Sequence, residues 1–219
     1  NVKGLPAVEG VTVNYPVSFY REQGYKVEGN TYSIYSGEGF KTIATSVLND
    51  GAKNVTIELA NDIDLAGIDW SVNIGDDCNA TFDGIFDGQN HTISNLTSVE
   101  SAAKADGYVC AGLFGAIYGD ASIKNLTLKN VMIDTGDFVG NNVGALVGFA
   151  YNCTGSIENV NVVGNIQINA KNITGVGAIV GYDYYGKLTV KGCTVDGAAL
   201  TRAQSSITGA AYVGGVVGY

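Results

Sequence analysis

A short apolar phrase that contains glycine recurs four times along the chain. Its copies are AGLFGAIYG, GALVGFAYN, GAIVGYDYY and GGVVGY, which start at Ala111, Gly144, Gly177 and Gly214. The second glycine of each copy falls at residues 115, 148, 181 and 218, so the steps are 33, 33 and 37 residues. Repeats of this length are typical of solenoids, in which each repeat forms one coil and the coils stack on one another.

Each period also contains three short runs that are rich in Val, Ile and Thr and separated by Gly, Asn and Asp. Such runs favour β-strands bounded by turns. Three strands per period predict one coil of a parallel β-helix, with every strand paired to its counterpart one coil away. Equivalent side chains of successive coils then stack into ladders. The expected ladders are Leu113, Leu146, Ile179 and Val216; Phe114, Val147, Val180 and Val217; and Asn95, Asn125 and Asn159, which breaks at Gly192.

The sequence before the repeats differs from them. The stretch 36–51 places Phe40, Ile43 and Ala44 at helical spacing, and predicts a short amphipathic helix that caps the first coil. The stretch 54–65 predicts the first strand of the β-helix. We therefore predict β-helix over residues 30–219, with the cap and first strand in 30–60 and repeats from about 82. Residues 1–29 are expected to form extra strands or the tail of a preceding domain.

The order of these phrases resembles a known family. IELANDIDL from Ile57, FDGIFDGQNHTISNL from Phe82 and the repeated glycine phrases are similar to GLUG-motif repeat proteins, as is YSIYSGEGFKTIA before them. The resemblance covers about residues 30–219. It implies an all-β fold, a right-handed single-stranded parallel β-helix, in adhesin-like bacterial proteins that are secreted or lie on the cell surface. The motif carries no catalytic residues.

Composition excludes several function classes. The formal net charge is −9 and the only arginines are Arg21 and Arg202, so no basic face can hold nucleic acid. No apolar run approaches the length of a membrane span. The sequence has no starting Met and no signal peptide, as expected of a processed chain. Four cysteines without CxxC spacing and a single histidine predict no zinc site, and we expect free buried thiols rather than disulfides, with Cys193 in the core.

An enzyme is the main alternative, because parallel β-helices also include polysaccharide lyases and hydrolases. The segment 62–87 concentrates the carboxylates that such chemistry needs. They are Asp62, Asp64, Asp69, Asp76, Asp77, Asp83 and Asp87. These residues stand beside turn residues, where Asp is common for structural reasons. We favour that structural interpretation and expect no cofactor or metal, with calcium near Asp76 and Asp77 as the alternative. We expect His91 to be a hydrogen-bonded turn residue.

The aromatic residues supply the candidate binding site. Tyr118, Tyr151 and Tyr184 are spaced by 33 residues, and Phe149, Tyr182 and Tyr219 occupy the position two residues earlier in three coils. Residues two apart in a strand share a face. Exposed rows would stack on sugar rings or bind protein. The other arrangement, which we favour, buries Phe149 and its equivalents in the coil and leaves the tyrosines at a corner.

These patterns together favour a non-enzymatic adhesin-like protein that is extracellular or on the bacterial surface. We expect a monomer that binds a host or environmental glycan, or a surface protein, along one β-helix face. The predicted ligand-binding residues are Tyr118, Tyr151, Tyr182 and Tyr184. A passive stalk that extends another domain is the third possibility.

Overall fold

The computed structural model describes residues 16–45, 53–70, 81–99, 110–197 and 206–219. Within them the protein is an all-β solenoid of about four turns with two helices. The helices and strands, in chain order, are α1 (Val17–Gln23), β1 (Tyr25–Glu28), β2 (Thr31–Ile34), α2 (Gly37–Ile43), β3 (Lys53–Leu59), β4 (Ile63–Asp64), β5 (Asp83–Asp87), β6 (Thr92–Val99), β7 (Cys110–Ala111), β8 (Phe114–Gly119), β9 (Ser122–Asp134), β10 (Gly140–Gly144), β11 (Val147–Cys153), β12 (Ser156–Ala170), β13 (Ile173–Gly177), β14 (Val180–Tyr184), β15 (Thr189–Lys191), β16 (Thr194–Asp196), β17 (Ser206–Gly209) and β18 (Val213–Gly214).

The strands form three sheets that run along the solenoid. Sheet 1 has eleven strands and includes β9 and β12, sheet 2 has the order β18-β13-β10-β7, and sheet 3 has the order β14-β11-β8. All pairings between the described strands are parallel except that of β1 with β2. One coil therefore consists of β10, β11 and β12 in succession, and the predicted parallel β-helix is confirmed.

The two predicted apolar ladders lie in the interior. Val147 pairs with Phe114 on one side and with Val180 on the other, and all three side chains are fully buried. Leu113, Leu146 and Ile179 are buried in the same way. Each ladder ends in a fourth residue that is partly exposed, Val216 at 42% and Val217 at 38%, because the described residues place no further strand over it.

Helix α2 closes the other end of the solenoid. It begins after Ser36, whose hydroxyl accepts a hydrogen bond from the Gly39 N–H at 3.2 Å and so satisfies one free donor of the first turn. Phe40 is fully buried against Trp70, at a ring distance of 4.8 Å, and Ile43 is also buried. The predicted capping helix is confirmed at its start, and its predicted end lies outside the described residues.

Strand β1 joins this end of the molecule through its antiparallel pairing with β2, which in turn lies parallel to β3. The sequence-based domain boundary between residues 29 and 30 thus falls in the turn between two paired strands. The division of the chain into 1–29 and 30–219 stays a prediction.

Asparagines turn the corners of sheet 1. Asn125 and Asn159 have left-handed φ values of 54° each, and the Asn159 side-chain amide donates to Asn125 Oδ1 at 3.3 Å. Asn suits such corners because its short polar side chain tolerates left-handed backbone. The predicted ladder is correct for these two residues, and its break has a physical reason. Gly192 stands at the next position with φ 64°, a conformation that glycine adopts without cost.

Asn95 belongs to a second ladder, so its predicted place beside Asn125 is wrong. Strand β6 pairs with the second half of β9, with Leu96 opposite Val131. Asn95 therefore lies against Asn130, whose side-chain amide donates to Asn95 Oδ1 at 3.3 Å. Both corners of β9 have an Asn that follows a Lys and precedes an apolar residue, and the pattern alone could not distinguish them.

An aspartate begins each of these ladders. Asp87 Oδ1 accepts from the Asn125 side-chain amide at 3.1 Å, and Asp64 Oδ1 accepts from that of Asn95 at 2.8 Å. This bond, with one from the Ala66 N–H, lowers the pKa of Asp64. At Asp87, burial raises the pKa, but hydrogen bonds from the Gln89 N–H, Asn125 and Lys124 outweigh burial. The pKa of Asp87 is therefore lowered as well. Both carboxylates therefore stabilise the folded chain, and this stabilisation is lost as the pH falls through their lowered pKa values.

The cysteines differ from the expectation of free thiols. Cys110 is disulfide-bonded, which contradicts it, whereas Cys153 is a free buried thiol and Cys193 is free and packed against the core. Cys78, the remaining cysteine of the chain, lies outside the described residues. Burial raises the pKa of the Cys153 thiol, so it stays protonated and unreactive at neutral pH.

The corner ladder makes a testable prediction at Asn125. Asn125→Ala should lower the free energy of unfolding by about 2–3 kcal/mol, because alanine is strained in left-handed backbone and both side-chain hydrogen bonds are lost. Asn125→Gly should cost roughly half as much, because glycine removes the hydrogen bonds without the strain. Urea unfolding of the three proteins measures the difference. Equal losses for the two variants would contradict the role assigned to the left-handed backbone.

Candidate functional site

The outer face of sheet 3 carries a cluster of aromatic side chains that continues into the neighbouring turns. We call this cluster the aromatic array. Its members are Tyr118, Phe149, Tyr151, Tyr182, Tyr184, Tyr185, Tyr212 and Tyr219.

Strand register places these rings together. Tyr151 pairs with Tyr118 in β8 and with Tyr184 in β14, while Phe149 pairs with Tyr182. The alternate residue of β11, Ala150, points inward and is fully buried. Because successive side chains of a strand point to opposite faces, positions 149 and 151 must then face outward.

The rings contact one another in two directions, and several neighbouring pairs are nearly parallel. Along the solenoid, the Phe149 and Tyr182 centroids are 5.9 Å apart with 9° between the planes, and Tyr182 and Tyr219 are 4.8 Å apart with the same angle. Along the strand, Tyr182 and Tyr184 are 5.6 Å apart at 22°. These values match offset stacking, which stabilises aromatic pairs beyond their burial. The array is therefore an ordered surface whose rings hold one another in place.

The arrangement that we favoured from sequence, with Phe149 inside the coil, is wrong. Phe149 and Tyr182 are half-buried on the outer face, and Tyr219 is 55% exposed. The interior at this level is filled by Ile117 and Ala150, which pair with each other in neighbouring coils. Alternation could show that positions 149 and 151 share a face, but not that this face is the outer one.

The four predicted ligand-binding tyrosines all lie in the array. Tyr151 and Tyr184 are 39% and 37% exposed, and Tyr118 and Tyr182 are half-buried beside them. The structure brings them onto one face with their rings in contact. Their role in binding stays a prediction.

Sequence reasoning did not include Tyr185 and Tyr212. The Tyr185 ring lies 4.2 Å from that of Tyr184, and the Tyr212 ring lies 4.3 Å from that of Tyr219. Tyr185 is more exposed than Tyr184, and Tyr212 is about as exposed as Tyr219. Tyr185 stands 33 residues after Asn152, at a left-handed position of the repeat, whereas Tyr212 stands in a turn before the last copy of the phrase. The repeat therefore marks the position of Tyr185 but gives no signal that an aromatic residue there joins the cluster. The doubled tyrosine in YDYYG was the one local hint.

One carboxylate lies beneath the array. Asp183 takes the inward position between Tyr182 and Tyr184, opposite the buried Ala150 of the coil before it. Its Oδ1 is buried without a hydrogen-bond partner. Burial raises the pKa of Asp183, although a hydrogen bond from the Leu188 N–H acts in the opposite direction.

In the Asp-rich segment that was the alternative catalytic site, several carboxylates accept hydrogen bonds from neighbouring turns and ladders. Asp64 and Asp87 begin the Asn ladders described above. Asp62 Oδ1 accepts from the Thr92 N–H at 2.9 Å and lies 3.0 Å from His91 Nδ1, and these contacts lower the pKa of Asp62. His91 is thus a hydrogen-bonded turn residue, as predicted. Asp76 and Asp77, the sequence-based candidates for calcium, lie outside the described residues.

No group of three or more His, Cys, Asp or Glu side chains suited to a metal ion occurs in the described part of the chain. Neither helix found there is long and apolar enough to cross a membrane.

Comparison with known proteins gives two partial matches. The chain is 32% identical over 178 residues to halomucin from Haloquadratum walsbyi, which covers 75% of this chain. It spans only 2% of the length of that relative. A solved structure from Bacteroides ovatus, of a protein provisionally named an immunoglobulin A1 protease, covers 85% of this chain and 76% of its own, at 17% identity and a TM-score of 0.42. No family model matches the chain, and the resemblance to GLUG-motif proteins stays a prediction.

The position of Asp183 makes a second prediction. Asp183→Asn should raise the melting temperature at pH 7, because it removes a charge whose burial is unfavourable in the folded protein. A group whose folded pKa is raised costs stability as the pH rises through that pKa. The advantage of the variant should therefore shrink as the pH is lowered and wild-type Asp183 takes up a proton. Thermal unfolding followed by circular dichroism between pH 3 and pH 8 measures it.

Glu22→Gln supplies the control, because Glu22 is exposed on α1. It should change the melting temperature little at any pH. A lower melting temperature for Asp183→Asn at pH 7 would show that the carboxylate is needed in its charged form.

Proposed function

We propose that this protein is a non-enzymatic, extracellular or cell-surface module that binds a glycan through the aromatic array. The observation that carries the proposal is the exposed, mutually stacked set of rings on sheet 3, centred on Tyr151, Tyr182 and Tyr184. Large aromatic side chains left in water on a rigid sheet contribute little to the core. Exposed patches of this kind commonly mark binding sites.

The chemistry of the array favours a sugar as ligand. A tyrosine ring presents an apolar face together with a hydroxyl group that donates and accepts hydrogen bonds. A sugar ring is likewise apolar on its C–H face and carries hydroxyl groups at its edge, so the two surfaces are complementary. The rings are also held in place before binding, which reduces the entropy lost when a ligand binds.

The absence of an enzymatic role is part of this proposal. Three carboxylates in the described part of segment 62–87, those of Asp62, Asp64 and Asp87, already accept hydrogen bonds that form turns and ladders. Asp183, the carboxylate beneath the array, occupies the inward position of β14, and its Oδ1 is buried away from the exposed faces of the rings. General acid–base chemistry would need such groups beside the ligand.

Two further observations support a location outside the cell. Cys110 is disulfide-bonded, and disulfides form and persist in oxidising compartments such as the cell exterior. The sequence similarity to halomucin, a mucin by name, agrees with a surface role although it concerns a small part of that protein. An adhesin-like role follows from the combination of this location with glycan binding.

The test is retention of the protein on immobilised glycans. Wild-type protein should be retained on one or more members of a panel of plant, bacterial and host polysaccharides without shortening them. Tyr151→Ala and Tyr184→Ala should each weaken retention about tenfold or more, because each removes a central ring from the contact surface. Met132→Ala is the matched control, since Met132 is an exposed apolar residue of β9 in sheet 1; its binding should equal that of the wild type.

The outcomes separate the alternatives. Cleavage of any polysaccharide would establish an enzyme and overturn the proposal. Capture of a surface protein with no glycan retained would show that the array binds protein instead, and no binding of either kind would leave the passive stalk.

A further inference from the structure

With two exceptions, the non-glycine residues that have left-handed backbone in the described part of this protein are Asn or Gln. Apart from glycine, ten described residues have positive φ, and eight of them are Asn or Gln. Asn is favoured there because its side chain tolerates the left-handed region. The two exceptions are Tyr185, at φ 54°, and Tyr212, at φ 46°. A bulky residue in this conformation is strained.

Both exceptions belong to the aromatic array. The Tyr185 ring is 4.2 Å from that of Tyr184 and the Tyr212 ring is 4.3 Å from that of Tyr219. The two rings stand at different margins of the array, one in the turn after β14 and the other immediately before β18. They join Tyr184, Tyr182 and Tyr219 into a continuous series of ring contacts.

Burial of apolar surface does not account for these tyrosines. The Tyr185 side chain is 76% exposed and that of Tyr212 is 54% exposed, so neither buries much apolar area. Asn or Gly at the same backbone position would relieve the strain, as they do at the other left-handed corners of the chain. Residues held in strained backbone conformations cluster at active sites and ligand sites.

We infer that Tyr185 and Tyr212 form the rim of the binding site and contact a neutral polysaccharide there, at a cost to the stability of the free protein. This inference rests on the proposed function and adds which residues set the edge of the site and which class of glycan it takes. The ligand is neutral because the chain carries a net charge of −9, which repels uronic or sulfated polymers.

The experiment measures stability and binding in the same variants. Tyr185→Asn and Tyr212→Asn should each raise the melting temperature by roughly 2–4 °C, because strain is relieved. The same variants should bind the neutral polysaccharides retained by the wild type about tenfold more weakly. Tyr185→Phe keeps both the ring and the strain, so its melting temperature should match the wild type and most of its binding should remain.

Gln89→Asn is the matched control. Gln89 is an exposed left-handed residue at φ 52° in the turn between β5 and β6, outside the array. Its replacement relieves strain of the same kind and should leave binding unchanged. Acidic polysaccharides, such as polygalacturonate, should bind the wild type weakly, with binding that increases as salt screens the repulsion.

The outcomes are distinct from those of the proposed function. Wild-type binding to neutral polysaccharide that survives in both Asn variants would overturn the rim assignment while leaving the glycan-binding proposal in place. A fall in melting temperature in these variants would show that the tyrosines are structural and would overturn it as well. Preference for an acidic polymer would overturn the ligand class, and failure of the wild type to bind any glycan would overturn both proposals.

Discussion

Parallel pairing of each strand with its counterpart one coil away is the constraint on which the structure depends. It places equivalent residues of successive repeats next to one another at the spacing of neighbouring strands. Whatever side chain a repeat carries at a given position must therefore be compatible with copies of itself above and below. Apolar residues meet this condition inside the coil, as Leu146 and Val147 show, and Asn meets it at the corners by hydrogen bonding from one amide to the next.

The aromatic array is the same constraint acting on the outer face. Tyr118, Tyr151 and Tyr184 are brought together by strand register alone. The array also widens along the solenoid. The first coil has Ala116 where later coils have Phe149 and Tyr182, and the turn residues Tyr185 and Tyr212 appear only at the last coils. The surface is therefore periodic in its centre and irregular at its margins, and the irregular residues are the strained ones.

Much of this architecture could be predicted from the sequence, because a solenoid converts periodicity directly into contacts. The 33-residue step predicted the stacking of Leu113 on Leu146 and of Tyr151 on Tyr184, and all of these pairs are found. What periodicity could not supply was the inward direction, so Phe149 was placed inside. Nor could it distinguish two corners with the same local pattern, so Asn95 was assigned to the wrong ladder. The repeat places Tyr185 at the position of Asn152, but it does not show that the ring there joins the array, and it carries no information on Tyr212 or on the disulfide at Cys110.

The central claim is that a neutral glycan covers the aromatic array, and hydroxyl-radical footprinting tests it most directly. The protein is oxidised with and without the neutral polysaccharide that retains it, and modification of each tyrosine is quantified by mass spectrometry. The account predicts protection of Tyr151, Tyr184, Tyr185 and Tyr212, with unchanged oxidation of Met132 on sheet 1. Equal oxidation of these tyrosines in the bound and free protein, or protection confined to residues outside the array, would contradict it.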